Sequence, residues 1–279
     1  MQGGPIRLGL IGDNIAASQS PKLHRLAGRQ VQRIVSYDQI VPRHLGLDFD
    51  GTFALCAAGG YRGVNVTYPY KEAVTAKVRI DDPLVRAMGA VNTVVFEADG
   101  PRGFNTDHSG FMAAYRAARG SRPPGKTLLI GAGGVGKAVA FGLLALGLTD
   151  IAIADRELAK ARALCDALRQ ARPELVATAG SDAEAMAPGS EGIINGTPVG
   201  MVGLEGTPLA RTALRGAAWA FDAVYTPVET QFLRDAAAEG LAIISGYELF
   251  FHQGVDAWHI FTGLGIDAAA LRAALQVPE

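Results

Sequence analysis

The stretch Gly131-Ala132-Gly133-Gly134-Val135-Gly136 constrains this chain more than any other, because it lies between a short apolar run, Thr127–Ile130, and an Ala-rich helical pattern over Gly134–Leu146. In that setting the G-x-G-x-x-G spacing has a mechanical meaning. Gly131 permits a tight turn, Gly133 lets the backbone approach a pyrophosphate, and Gly136 lets helix pack closely on strand. The helix N-terminus adds unpaired N–H groups and a partial positive charge for phosphate. An ordinary glycine-rich turn would satisfy the spacing alone. What separates the two readings is Asp155, which ends the next apolar run, Ile151–Ala154, 24 residues beyond Gly131. The acid that binds a dinucleotide's ribose is expected ~20 residues on. Asp155-Arg156-Glu157 also bears on which dinucleotide. Asp155 can accept both ribose hydroxyls and repels a 2′-phosphate, and Glu157 adds a second repulsion. Arg156 could instead receive that phosphate, or simply open the following helix and face water. Two acids around one Arg favour NAD over NADP.

Around this loop, short apolar runs alternate with longer amphipathic ones, the pattern of an α/β fold. Strands are expected at Ile6–Gly12, Ile34–Val41 and Gly63–Thr67, helices at Pro21–Val31 and Asp50–Gly59, and a helical stretch from Lys71 to Ala76. Val91–Glu97 and Arg102–Phe104 form a hairpin about Ala98-Asp99-Gly100. A helix over Ser109–Arg119 leads to Ser121-Arg122-Pro123-Pro124-Gly125, the best linker candidate. The strand–helix alternation restarts near Lys126 and runs through strands at Leu175–Ala179, Gly192–Asn195, Trp219–Val224 and Ala242–Ile244, with helices over Leu158–Arg172 and Thr230–Glu239. The tail Gly246–Leu275 is helical and broken near Gly263 and Gly265.

Composition narrows the function classes. With 49% hydrophobic and 19% charged residues the chain is not disordered, and 26 Lys plus Arg against 27 Asp plus Glu leave no polyanion-neutralising balance, so nucleic acid is not an expected partner. No apolar run reaches the roughly 18–20 residues of a membrane span, and Met1–Pro5 does not begin a signal peptide. Cys56 and Cys165 stand apart in no motif, which fits a reducing cytoplasm. His24, His44, His108, His252 and His259 have no ligand spacing with acids or cysteines, so no metal is expected. Trp219 and Trp258 read as core or interface residues.

In the first half, small polar residues gather at element ends. Asn65 and Thr67 share one face of a strand that Pro69 stops, and Lys71 follows where a helix is expected to begin. A Lys there is electrostatically unfavourable, and an ordinary surface lysine is the bland reading. Asn92 and Asn105-Thr106-Asp107 taken singly are turn and capping residues. In Ser18-Gln19-Ser20-Pro21, Ser20 reads as the helix cap, Pro21 as the first helical residue, and Ser18 as free for a ligand.

Taken together these segments resemble the shikimate dehydrogenase family, including its quinate/shikimate branch. The resemblance runs in order through Ser18–Pro21, Asn65–Lys71, Gly89–Thr93, Asn105–Asp107, Gly131–Gly136, Asn195–Met201, Tyr225 and Gly246–Gln253. It implies an N-terminal α/β substrate domain over 1–108, a Rossmann-type dinucleotide domain over 109–245, and C-terminal helices, 246–279, returning to the first. It implies an NAD-dependent enzyme that reversibly oxidises a ring hydroxyl of a small cyclitol carboxylate, shikimate or also quinate. Lys71 would be the acid/base and Asp107 its partner. Ser18 and Ser20 would bind the carboxylate, Asn65, Thr67, Asn92 and Gln253 the ring hydroxyls, and Tyr225 would line the site. Asn195, Thr197, Val199 and Gly246 would join the glycine loop, Asp155 and Arg156 in holding the cofactor.

The chain departs from the family pattern at His108, where Gly or Trp is frequent, and at Leu249-Phe250, where Met-Leu is common. Asp155-Arg156-Glu157 replaces the Asn-Arg-Thr-like segment of NADP-using members. Competing readings are an aminoshikimate-type substrate, a non-catalytic NAD-binding regulatory protein, and methylenetetrahydrofolate dehydrogenase-like chemistry, against which the Ser-x-Ser and Asn-Thr-Asp matches speak. Apolar residues on the first domain's edge strand would suit a homodimer. Biosynthesis and catabolism run the reaction in opposite directions and leave the same residues.

Overall fold

The computed structural model describes residues 4–277. They form two compact units: one runs to Thr106 and resumes at Gln253, and the other is Asp107–His252. In the first, β1 (Ile6–Ile11), α1 (Ser20–Gln30), β2 (Val35–Ile40), α2 (Phe49–Ala58), β3 (Gly63–Val66), α3 (Pro83–Met88), β4 (Thr93–Glu97) and β5 (Gly100–Phe104) follow in order. The sheet order is β2-β1-β3-β4-β5. β1 pairs in parallel with both β2 and β3, as helical crossovers require, and β4–β5 is the expected antiparallel hairpin. Gly100, at φ +119, takes a backbone conformation at this turn that side chains resist. Ile11, Phe53, Val64, Val66, Val91 and Val94 pack into one apolar cluster with α2.

Two local readings need correction here. The helical stretch expected from Lys71 is a turn over residues 68–72 followed by a short 3-10 helix, Ala73–Lys77. The Lys71 carbonyl accepts the Val91 N–H at 2.8 Å, so it is drawn away from the acceptor row an α-helix would need. The second correction is α3, which the alternation passes over although its punctuation is complete. Asp82 accepts the Leu84 N–H at 2.8 Å, Pro83 occupies the first turn, and Gly89 ends the helix left-handed.

The second unit begins in α4 (Thr106–Arg119), which starts three residues earlier than expected because a distant side chain caps it: Asn92 Oδ1 accepts the Thr106 N–H at 2.8 Å. The elements that follow are β6 (Thr127–Ile130), α5 (Gly134–Ala145), β7 (Asp150–Ala154), α6 (Leu158–Ala171), β8 (Val176–Gly180), α7 (Ala183–Met186), β9 (Gly192–Asn195), β10 (Trp219–Asp222), α8 (Gln231–Ala238) and β11 (Ala242–Ile244). All six strands are parallel, in the order β11-β10-β9-β6-β7-β8. This is the doubly wound Rossmann order, whose chain direction switches between β6 and β9. Buried on both faces, these strands read as near-continuous apolar runs. Ser121–Gly125 lies inside this unit rather than between domains. It is pinned there, since the Pro124 carbonyl accepts Trp219 Nε1–H at 2.9 Å and the Arg122 carbonyl accepts the Tyr115 hydroxyl at 3.1 Å.

The chain returns to the first unit through α9 (Gly246–Thr262) and α10 (Ala268–Gln276). Trp258 and Phe261 are buried, close to His24 on α1. Lys22 Nζ donates to the carbonyls of Leu275 and Val277, and Gln30 exchanges two hydrogen bonds with the Asp267 backbone. Cys56 and Cys165 are buried free thiols. Among the described residues no helix is long and apolar enough to cross a membrane.

Candidate functional site

In the first unit the loop after β1 and the turn after β3 are tied together at the C-terminal ends of their strands. Asp13 N–H donates to the Tyr68 carbonyl at 3.2 Å, Thr67 N–H to that of Ile11 at 2.9 Å, and the Tyr70 hydroxyl to Asp13 Oδ1 at 2.7 Å. Gly12 has no room for a side chain, because a Cβ would lie 2.3 Å from Thr67 Cγ2. Tyr70 also stacks on Phe49, with ring centroids 4.7 Å apart. Burial and the Asp13 bond push its hydroxyl up to about 12, so it stays a donor. This clamp holds Thr67 and half-buried Lys71 on one short turn. It also holds the loop that carries Ser18.

The cap at α1 differs from the expected one. Ser18 Oγ accepts the Ser20 N–H at 3.3 Å and lies 3.2 Å from Ser20 Oγ, while Ser20 is already helical. Ser18 therefore serves the helix end, and the two hydroxyls form a pair.

Behind them a chain of buried hydrogen bonds joins three of the expected ligand residues. The Tyr37 hydroxyl donates to Asn65 Oδ1 (2.9 Å), Asn65 Nδ2 to Thr93 Oγ1 (3.0 Å), and Thr93 Oγ1 to Asn92 Oδ1 (3.0 Å). Asn92 Nδ2 donates to Thr106 Oγ1 (2.9 Å), which donates to Gln253 Oε1 (3.3 Å). Asn65 Nδ2 also reaches the Asn92 carbonyl, so both of its donors are engaged within the protein. Such a network is rigid when every member is satisfied. Asn105 is buried too, donating to the Ala90 carbonyl at 3.0 Å. Asp107 is 3% exposed in the first turn of α4 and belongs to the second unit, whereas Lys71 belongs to the first.

The second unit presents a glycine loop with room for a dinucleotide. Gly131 has φ +97, and nothing stands within 4 Å of where a Gly133 Cβ would be. α5 starts after Gly133 with no side-chain cap, leaving its N–H groups to a ligand. Asp155 Oδ2 accepts the Ala132 N–H at 2.7 Å and Oδ1 the Glu157 N–H at 2.8 Å. Each oxygen keeps a further lone pair for a ribose hydroxyl. Arg156 is exposed. Glu157 pairs with Lys160 at 2.6 Å, which weakens the second repulsion expected from it. A Gly136 Cβ would lie 2.0 Å from the Gly131 carbonyl oxygen, so the loop has no tolerance there. Gly136→Ala is expected to weaken dinucleotide binding ~100-fold or more, because helix and loop must separate. A fluorescence titration checks this, and an unchanged Kd would exclude the loop from binding.

Across the β6/β9 switch, Asn195 lies beside Ile130, and the Gly196 N–H donates to the Ile130 carbonyl at 2.7 Å. Asn195 Oδ1 accepts from the Thr197 hydroxyl (2.6 Å) and N–H (3.0 Å), and its Nδ2 donates to the Val199 carbonyl (3.0 Å) and to Asp222 Oδ1 (2.9 Å). Gly246 sits where a Cβ would be 2.5 Å from the Val224 carbonyl oxygen. Tyr225 stacks on Phe250 at 4.8 Å, so the Phe that departs from the family pattern fixes that ring. Asp13, Tyr37 and Asp222 have no role in the sequence reading, and Tyr70 enters it only within the Asn65–Lys71 segment. Only Asp222 had a local signal: like Asp155, it is an acid that ends an apolar strand.

Residues 10–94 match the shikimate dehydrogenase substrate binding domain, and residues 119–194 match shikimate / quinate 5-dehydrogenase. A quinate/shikimate dehydrogenase (NAD(+)) of Corynebacterium efficiens is 37% identical over 276 residues, 96% of each chain. Quinate dehydrogenase from Corynebacterium glutamicum, solved with NAD, superimposes with TM-score 0.87 at 33% identity, over 98% of this chain and 99% of that one. Shikimate 5-dehydrogenase from Thermus thermophilus, solved with NADP(H) and shikimate, gives TM-score 0.83 at 32% identity, over 97% and 98%.

Proposed function

This chain belongs to the shikimate dehydrogenase family, and we propose that it is an NAD-preferring member that reversibly oxidises shikimate to 3-dehydroshikimate and accepts quinate. Asp155 carries the cofactor preference. Its carboxylate is held on the glycine loop by the Ala132 N–H, facing the place a ribose diol would occupy, where a 2′-phosphate would meet like charge.

The dinucleotide, when bound, supplies the acceptor for the hydride that leaves the hydroxyl-bearing carbon. Lys71 takes the hydroxyl proton at Nζ, and Asp107 orients that hydroxyl. Ser18 and Ser20 donate to the substrate carboxylate, Ser18 by turning its one hydroxyl proton from Ser20 Oγ to the ligand. Thr67, Asn65, Asn92 and Gln253 select for the ring hydroxyls, and the shared network keeps the Asn65, Asn92 and Gln253 groups from rotating. A site built this way rejects an analogue lacking one hydroxyl far better than an apolar pocket does. Tyr225 lines the substrate site, Thr197, Val199 and Gly246 line the nicotinamide end, and the glycine loop takes the pyrophosphate.

Initial rates with shikimate or quinate, each with NAD or NADP, test the proposal. Turnover of both acids with NAD at least ~10-fold better than NADP, the effect of about 1.4 kcal/mol in the ribose site, is the expected result. NADP preference would assign the ribose site to exposed Arg156. No turnover with either acid would overturn the substrate assignment.

A further inference from the structure

Asp222 has no part in the reaction just described, yet its carboxyl is wholly buried where three segments of the second unit meet. Oδ1 accepts from Asn195 Nδ2 at 2.9 Å and from the Val224 N–H at 2.9 Å, and Oδ2 accepts the Thr230 hydroxyl at 2.6 Å. We propose that Asp222 is a positioning residue for the dinucleotide, acting through Asn195 to set the wall beside the glycine loop. The proposal rests on the reading of the second unit as a dinucleotide site.

The chain of contacts is continuous. Asp222 fixes which way the Asn195 amide points, nitrogen toward the carboxylate and oxygen toward Thr197. That orientation lets Asn195 Oδ1 hold both the hydroxyl and the N–H of Thr197 and lets Nδ2 hold the Val199 carbonyl. Thr197 Oγ1 then accepts the Val199 N–H at 3.2 Å. The Thr197 methyl lies 2.8 Å from where a Gly131 Cβ would stand, so the segment is pressed against the first glycine of the loop. A flipped Asn195 amide would face Thr197 N–H with its own NH2 and open this wall. Asn195 is itself fully buried, so it shapes residues 196–199 rather than reaching a ligand. Through the Val224 N–H the same carboxylate oxygen also fixes the turn against which Gly246 packs.

The two oxygens have separable tasks. Oδ1 faces the binding segments, while Oδ2 faces Thr230, whose hydroxyl caps α8 by accepting the Leu233 N–H. Three variants divide them. Asp222→Asn keeps one oxygen, which must face Asn195 and Val224 because only Thr230 can accept from the new NH2. NADH Kd should rise about 3-fold as charge-assisted bonds become neutral ones. Asp222→Ala should raise it ~10-fold or more, with the KM for NAD rising in parallel and the KM for shikimate unchanged. Thr230→Val should lower the melting temperature and leave NADH Kd and both KM values as they are. NADH and NADPH titrations by fluorescence, without substrate, read the binding directly. If Asp222→Ala does not fold, the contrast between Asp222→Asn and Thr230→Val still decides. Equal effects of those two on NADH Kd, or none from Asp222→Asn, would overturn the inference alone. Wild-type protein that bound neither dinucleotide would overturn the functional reading and this inference together.

Discussion

Lys71→Ala is expected to lower kcat by about 10³-fold, within the 10²–10⁴ range that a positioned acid/base contributes. The fold should survive. Lys71 is only half-buried, it lies in a turn, and its carbonyl, which holds the Val91 N–H, belongs to the backbone. Unchanged thermal melting and an NADH Kd within twofold would confine the loss to chemistry. Lys71→Arg sharpens the test. Arginine keeps the positive charge but is not deprotonated in proteins, so it should be nearly as inactive as alanine if proton transfer is the task. If charge alone mattered, arginine would restore most of the rate. Added methylamine should partly rescue Lys71→Ala and not Lys71→Arg, where the pocket is filled. Turnover by Lys71→Ala within threefold of wild type would remove Lys71 from the mechanism.

The second large effect is a loss of stability in acid, centred on His24. This side chain is 1% exposed, stacks on Tyr37 with centroids 5.0 Å apart, meets Phe261 edge-on at 5.7 Å, and faces Trp258. Burial pushes its pKa down from 6.5 to about 3, and a hydrogen bond with Asn65 opposes this only in part. The folded state therefore binds fewer protons than the unfolded state between about pH 3 and 6.5. Stability is fully present above pH 6.5 and falls as the pH falls. With about 1.36 kcal/mol for each pH unit between the two values, the full loss is on the order of 5 kcal/mol, about 3 kcal/mol of it by pH 4. His24→Gln, neutral throughout, should be less stable at pH 7 through lost packing but should lack this acid slope. Urea unfolding of both proteins from pH 7.5 to 4 measures it. Parallel slopes would refute the assignment.

Asp222 has the opposite sign, which makes the acid response unequal between the units. Desolvation raises its carboxyl from 3.8 to about 6 against the pull of Thr230, Val224 and Asn195. Its contribution is fully present below about pH 4 and is lost as the pH rises through 6, so this one group adds stability to the second unit in acid while His24 removes it from the first. The two tryptophans report the units separately, since Trp258 is buried in the first and Trp219 in the second. Acid should expose Trp258 before Trp219, which Trp219→Phe and Trp258→Phe proteins would each show by fluorescence.

Features that a few neighbouring residues decide are legible along the chain. The glycine loop, the apolar parallel strands on either side of it, and the Asp-Gly hairpin follow from backbone sterics and from side-chain periodicity, and all are present, the hairpin with its first strand starting two residues later and its second two residues earlier than the spacing put them. The tertiary structure decided what depends on partners far along the chain. Lys71 does not open an α-helix, because Val91 takes its carbonyl; α4 starts at Thr106, because Asn92 caps it from the bend before β4; Ser18 rather than Ser20 serves the end of α1. The sequence marks Asn65, Asn92 and Asn195 as polar but is silent on which way each amide points. That orientation is set by Tyr37, Thr106 and Asp222, which lie 28, 14 and 27 residues away. The same holds for His24 and Asp222 as titrating groups. Their proton affinities are set by desolvation, and burial exists only once the distant elements have packed.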